Sequence, residues 1–310
     1  MKKSNDLRRK TLKRDIYKNW DLYVLMIIPL VLLLVFSYYP MLGLQIAFKK
    51  FTASGGIWHS PWVGLDNFQR LFTTPKFFNV FKNTLSISFY QVLVEPVFTM
   101  FFALALNAIY SKTYKKTVQF ITYMPHFIST VVMVAILTQA LNPSVGIYGK
   151  FCELIGVKAT DVMANPKAFP SLYVWSLIWQ NLGWNTIIYI AALASVDTDL
   201  YEAADIDGAS RFKKLIHIDL PVILPTFVIL LILKVGSMMS ISYEQILLMQ
   251  NSLNLSASEV ISTYSYKSAL STSTDYSYGT AIGLFNSVIN FVLIVTVNAI
   301  SKKLSNSSLW

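Results

Sequence analysis

The sequence predicts an all-α, polytopic membrane protein with six transmembrane helices. Three observations carry that expectation. Of 310 residues, 54% are hydrophobic and only 14% are charged, with a mean hydropathy of +0.50, against roughly 25% charged residues in soluble domains. Several windows of about 20 residues carry almost no charge, enough at about 1.5 Å per residue to cross a hydrocarbon layer of about 30 Å. The basic residues gather beside alternate windows, which assigns them to one side of the membrane.

The elements follow in order. The head MKKSNDLRRKTLKRDIYKNW carries Lys2, Lys3, Arg8, Arg9, Lys10, Lys13, Arg14 and Lys18. The positive-inside rule places this tail, residues 1–21, in the cytoplasm. The first span, Leu22–Leu42, stays apolar past 15 residues, with no small-residue cleavage site after it. It is therefore expected to be retained rather than removed as a signal peptide. With an outer loop, Gly43–Asn83, it makes up residues 22–83.

Residues 84–300 hold the remaining spans: Thr84–Ala108, Val118–Leu141, Ser171–Leu193, Pro221–Tyr243 and Tyr278–Ile300. The loop after the second span, YSKTYKK, is short and basic, and the loop after the fourth, residues 197–220, carries Arg211, Lys213 and Lys214. Both are expected on the cytoplasmic side. An even number of spans returns residues 301–310, with Lys302 and Lys303, to that side as well. The longer loops, Gly43–Asn83, Asn142–Pro170 and Glu244–Ser277, face outward and bring Trp58, Trp62 and several tyrosines to an aromatic interface.

Composition also excludes function classes. The net charge of +10 is distributed by topology and forms no aromatic-interleaved patch, so no nucleic-acid partner is expected. Cys152 is the single cysteine, which rules out an intramolecular disulfide and a thiolate metal cluster. His59, His126 and His217 fall in unrelated segments, so no metal site is expected. A membrane enzyme would need clustered acids, histidines or a metal motif, and the spans hold one glutamate and one histidine.

Glu95 and Lys234 each fall near mid-depth of a span. Ionisable groups are costly there and turn toward a partner or a cavity. Two arrangements satisfy them: an ion pair, or a snorkelling Lys234 with a protonated Glu95. Gln91, His126, Gln180, Asn181, Asn185, Asn286 and Asn290 are uncharged polar groups in or beside spans. They either line a path for a polar, neutral solute or bond between helices, each bond worth under about 1 kcal/mol. Pro96 and Pro125 permit kinks in the second and third spans.

The stretch YEAADIDGASRFKKLIHIDLP, Tyr201–Pro221, is too charged for the hydrocarbon. Asp199 and Glu202 have capping-box spacing, which predicts a helix from Leu200. The small Ala203 and Ala204 allow close approach to another surface, and Gly208 can end the helix in the left-handed conformation. A second amphipathic turn is expected from Ser210, with Pro221 in the first turn of the fifth span. The loop could lie on the inner leaflet, but Glu202, Asp205 and Asp207 would be repelled by anionic lipid, which favours a protein partner.

Glu202, Ala203, Ala204 and Gly208, followed by Ala209, Ile218, Leu220 and Pro221, resemble the EAA signature of the membrane subunits of ABC importers. SYYPMLGLQIAFKKF, WVGLDNFQRLF, TYMPHFIS and SYGTAIGLFNSVI are similar to carbohydrate permeases of that family, in the branch associated with oligosaccharides and polysaccharide fragments. The resemblance covers nearly the whole chain after the basic head. It implies a type I ABC importer transmembrane fold in the bacterial plasma membrane, with both termini cytoplasmic. It implies that Glu202, Ala203, Ala204 and Gly208 dock a cytoplasmic ATPase dimer. It further implies a second homologous permease subunit and an extracellular or periplasmic solute-binding protein. Trp62–Phe72 and Ser258–Ser271 are candidate receivers for that protein. The chain has no G-x-x-x-x-G-K-[ST] phosphate loop, so ATP and Mg are expected on the partner ATPase and no cofactor on this subunit. The same machine could import another solute class, such as a peptide or a phosphorylated polyol. An ion-coupled carrier rests on Glu95 and Lys234 alone.

Overall fold

The computed structural model describes residues 17–271 and 274–305. Of the basic head only Lys18 falls among them, and residues 306–310 of the C-terminal tail lie outside. The described residues are helical throughout, apart from loops and one isolated antiparallel bridge, Lys49 to Trp62.

The first helix, α1 (Trp20–Phe48), passes from α-helical through a π-turn at Leu34–Tyr38 to a tighter 3-10 stretch at Tyr39–Phe48. Its apolar residues run all round the helix and almost none is buried on this chain. Such a helix needs lipid or another apolar surface for its cover. A short amphipathic helix, α2 (Asp66–Thr73), buries Leu71 and leads into α3 (Pro75–Asn107). Pro75 starts α3, where its missing N–H costs nothing. At about 1.5 Å per residue its 33 residues exceed the membrane thickness, and the helix runs uninterrupted through Pro96.

The third span is broken, where Pro125 led only to the expectation of a kink. It consists of α4 (Lys112–Phe127) and α5 (Thr130–Ala140), bent by 105°. Pro125 lies in a 3-10 turn closing α4, and the Ser129 side chain accepts from Val132 N to start α5 afresh. A missing donor followed by an N-cap breaks the ladder, where proline alone would bend it.

In the loop that follows, α6 (Ile147–Leu154) carries the buried Cys152. The 25-residue α7 (Phe169–Leu193) is long enough to span and holds no charged residue, although its centre, WQNLGWNT, is more polar than the other spans. The charged segment follows as α8 (Thr198–Ile206), then α9 (Arg211–Gly236), which includes a π-turn at Leu215–Asp219. Pro221 sits in the first turn of the α-helical stretch Leu220–Gly236, as expected, but that stretch continues the π-turn without a break. The wider turn before it accommodates the lost i to i−4 bond. The fifth span also ends earlier than expected, at Gly236, because Asn290 takes over the chain beyond it: its Oδ1 accepts from Met239 N at 3.0 Å and its Nδ2 donates to Ser240 Oγ at 2.8 Å. After the short helices α10 (Tyr243–Met249) and α11 (Ile261–Tyr266), α12 (Tyr276–Ser305) is the last span. By length and composition α1, α3, α9 and α12 can cross a membrane, with the bent α4 and α5 pair as a fifth. The more polar α7 is the sixth helical unit of that length.

Two of the core clusters lie at different levels of the same helices. One joins Ile87, Phe169, Tyr173, Ile178 and Ile246, and the other joins Met100, Leu104, Tyr189, Leu193 and Ile223. Glu95 on α3 and Asn185 on α7 lie in sequence between the two clusters, so a polar layer separates them.

Candidate functional site

Glu95 is buried, with 8% of its surface exposed, and three helices converge on its carboxylate. Lys234 Nζ of α9 lies 2.8 Å from Oε2, Gln91 of α3 donates to Oε2 at 2.8 Å, and Asn185 of α7 donates to Oε1 at 3.1 Å. Direct donors and a counter-ion together are what make a carboxylate tolerable at this depth. A cavity of about 190 Å3 bordered by Thr99, Asn185 and Tyr189 lies against this group on one side. On the other, a cavity of about 200 Å3 is bordered by Ser88, Gln91, Tyr173, Ser237 and Ser240. Lys234 lines both. The Ser88 hydroxyl, buried beside the second cavity, has no hydrogen-bond partner in the structure.

The break in the third span forms a second polar group. His126 Nδ1 is 2.9 Å from Asn181 Oδ1, and its ring stacks on Trp184 with centroids 4.4 Å apart and planes 6° apart. Gln180 donates to the Ile128 carbonyl at 2.9 Å. The carbonyl released by the break is thus satisfied from α7, as backbone at membrane depth requires. Gly183 lets the two helices meet: a Cβ there would lie 2.3 Å from the Thr122 carbonyl oxygen. Phe127 and Trp184 remain 75% and 44% exposed beside the buried Gln180.

The polar residues expected to line a solute path therefore divide. Gln91 and Asn185 hold Glu95, Gln180 and Asn181 stand at the break, and Asn290 caps the end of α9. Asn286 has a buried Oδ1 with no partner in the structure. The aromatic faces of Phe127 and Trp184 were not among the candidates, because the sequence shows only membrane aromatics, which usually face lipid.

In the charged segment, the N-cap of α8 is Asp197 rather than Asp199: its side chain accepts from Asp199 N at 3.1 Å. Asp199 instead places its charge in the first turn, where the helix dipole favours it. The helix ends in a Schellman motif, with Ala209 N bonded to Ala204 O at 2.9 Å and Gly208 N to Asp205 O at 3.1 Å. Gly208 has φ of +68°. Ser210 caps α9, and Lys214 bonds back to Asp205. Glu202, Ala203 and Gly208 are exposed, while Ala204 is half-buried against the body. Tyr201, also half-buried, donates to Asp219. Burial first, and then this bond, push its hydroxyl up to about 12, so it remains a donor at physiological pH.

The outer candidates are unequal. Trp62, Leu65 and Phe72 are exposed, whereas Ser258, Val260, Ile261 and Thr263 are buried and belong to the outer packing. The latter segment offers a receiver only its margins. Among the described residues no group of three or more His, Cys, Asp or Glu is placed to hold a metal ion.

The family model described as binding-protein-dependent transport system inner membrane component matches residues 95–306. Among the relatives, protein LplB of Bacillus subtilis (strain 168) is 39% identical, over 96% of this chain and 92% of the relative. The polygalacturonan/rhamnogalacturonan transport system permease protein YteP of the same strain is 35% identical, over 98% and 94%. A solved structure, a bacterial alginate ABC transporter in complex with an alginate pentasaccharide-bound periplasmic protein, matches with a TM-score of 0.86 and 34% identity. It covers 96% of this chain and 99% of that one.

Proposed function

The chain belongs to the binding-protein-dependent transport system inner membrane component family, and from that premise we propose that it is one membrane-spanning half of an ATP-driven oligosaccharide importer. The remaining parts of that machine are a second permease subunit, a cytoplasmic ATPase dimer and a solute-binding protein outside. Both termini and α8 face the cytoplasm of a bacterial plasma membrane. The observation that carries the reading is α8 itself: a nine-residue helix capped at both ends, presenting Glu202, Ala203 and Gly208 to the surroundings. Its role is to sit in a cleft of the ATPase, so that closure of the ATPase dimer moves the spans. A rigid, capped helix transmits force where a fraying one would absorb it.

For the solute, the relatives point to oligosaccharides and polysaccharide fragments. The exposed faces of Phe127 and Trp184 suit the apolar C–H face of a sugar ring, and the amides of Gln180 and Asn181 behind them hold the broken span in place through Ile128 and His126. Glu95 and Lys234 hold three spans in register beside the path. Their mutual neutralisation is a poor basis for an ion-coupled carrier.

The test is ATP hydrolysis by the complete complex in proteoliposomes, with its binding protein and a panel of oligogalacturonides, alginate oligomers, malto-oligosaccharides, peptides and glycerol 3-phosphate. One oligosaccharide class is expected to stimulate hydrolysis and enter the lumen. Stimulation by peptide or glycerol 3-phosphate alone would overturn the sugar reading. Uptake without the ATPase would overturn the machine.

A further inference from the structure

The structure assigns to Tyr201, Asp219 and Asn107 the role of a joint through which movement of α8 reaches the spans, separate from the surface that seats the ATPase. This deepens the proposed function and rests on its ATPase-docking reading. Asp219 is buried, with 5% exposure, in the π-turn of α9. Its Oδ1 accepts from the Tyr201 hydroxyl of α8 and from Asn107 Nδ2, in the last residue of α3, at 3.3 Å. Asn107 Oδ1 in turn accepts from Lys115 Nζ of α4 at 3.3 Å. One carboxylate thus ties α8 to the cytoplasmic ends of the second, third and fifth spans.

Two features set this contact apart from the others that hold α8. The Lys214 to Asp205 bridge reaches only the first turn of α9, and the Asp205 side chain is 67% exposed, so solvent screens it. The Arg211 guanidinium, 4.2 Å from the centroid of the Tyr110 ring, braces the start of α9 rather than α8. Tyr201 alone among these groups carries a hydrogen bond from α8 to a buried carboxylate of the bundle. Such bonds are directional and hold one geometry, whereas apolar contacts can slide. The two faces of α8 are also divided in labour: Glu202 and Ala203 point outward, while Tyr201 and Ala204 turn toward the body.

The experiment is hydrogen exchange on the assembled complex, with and without ATP plus vanadate, comparing the unaltered chain with Tyr201→Phe and Asp219→Asn. It needs no solute. In the unaltered complex, peptides over 197–208 are protected by the ATPase, and peptides over 100–107 and 219–230 change their exchange on nucleotide trapping. Tyr201→Phe is expected to keep the ATPase bound and 197–208 protected, while the nucleotide-dependent change in the span peptides falls about fivefold or more. Asp219→Asn keeps the shape and one acceptor, and serves if Tyr201→Phe fails to insert; it should show a partial loss. Span responses matching the unaltered complex in both variants would overturn the joint. Lost protection over 197–208 would overturn it too, by making these residues part of the docking surface. If no ATPase co-purifies with the unaltered chain, the docking reading falls first and the joint with it.

Discussion

Glu95 shows how much one side chain can be asked to hold. Its carboxylate takes an ammonium from α9 and an amide from each of α3 and α7, so its neighbours are defined by charge and not by shape. Lys234→Met is expected to cost about 3 to 5 kcal/mol, because it strands a buried carboxylate, and the loss should appear as a lower melting temperature in detergent. Glu95→Gln should cost less, since the Lys234 side chain keeps 31% of its surface exposed. The double variant should be milder than Lys234→Met alone; damage equal to the sum of the two single changes would mean that the two residues act independently. At the proposed solute contact, Trp184→Ala should raise the sugar concentration for half-maximal ATPase stimulation about 3- to 10-fold, the loss of one aromatic face, without releasing the ATPase. The charged residues were legible in the sequence because a lone charge in an apolar span must find company. The amides were not, since the same group can bond a carboxylate, a free carbonyl or a solute, and only proximity selects among them.

At the scale of elements, the cytoplasmic segment follows local rules and the third span does not. Gly208 holds φ of +68°, a conformation costing a β-branched residue about 1 to 3 kcal/mol. Gly208→Val should therefore leave the chain inserted while hydrolysis and transport come apart, seen as ATPase activity no longer stimulated by loaded binding protein. Retained transport with normal ATPase association would count heavily against the coupling role. Asp197→Ala should fray α8 at a cost of about 1 kcal/mol, whereas Asp199→Ala should cost a few tenths, which amide exchange in the first turn would distinguish. Gly183→Ala drives a methyl into the Thr122 carbonyl and should lower the melting temperature by the equivalent of about 1 to 3 kcal/mol. The glycine end of α8 was legible because left-handed backbone is a local requirement. The cap was misassigned by two residues because both aspartates satisfy the local pattern, and the path of the chain leaving α7 decides between them. The 105° break was not legible either: Pro125 signals a kink, but its size depends on Gln180 of another helix satisfying the carbonyl that the break releases.

For the whole molecule, much apolar surface is left for lipid or a partner to cover. The apolar α1 stands almost uncovered, and the Phe127 and Trp184 faces are open. Assembly with the second permease and the ATPase should therefore raise the melting temperature above that of the isolated subunit, through mass action on a folded state that alone binds partners. Equal melting temperatures would argue against an obligate complex. The apolar spans and the charged segment between the fourth and fifth of them could be read from the chain alone, because bilayer thickness and capping act on residues close in sequence. The EAA resemblance added the machine. The tertiary structure alone decided which polar groups meet: Lys234 with Glu95, Gln180 with Ile128, and Tyr201 with Asp219 and Asn107. These contacts join residues 18 to 139 positions apart. The physics of apolar spans leaves the rotation and crossing of each helix open until the others are packed against it.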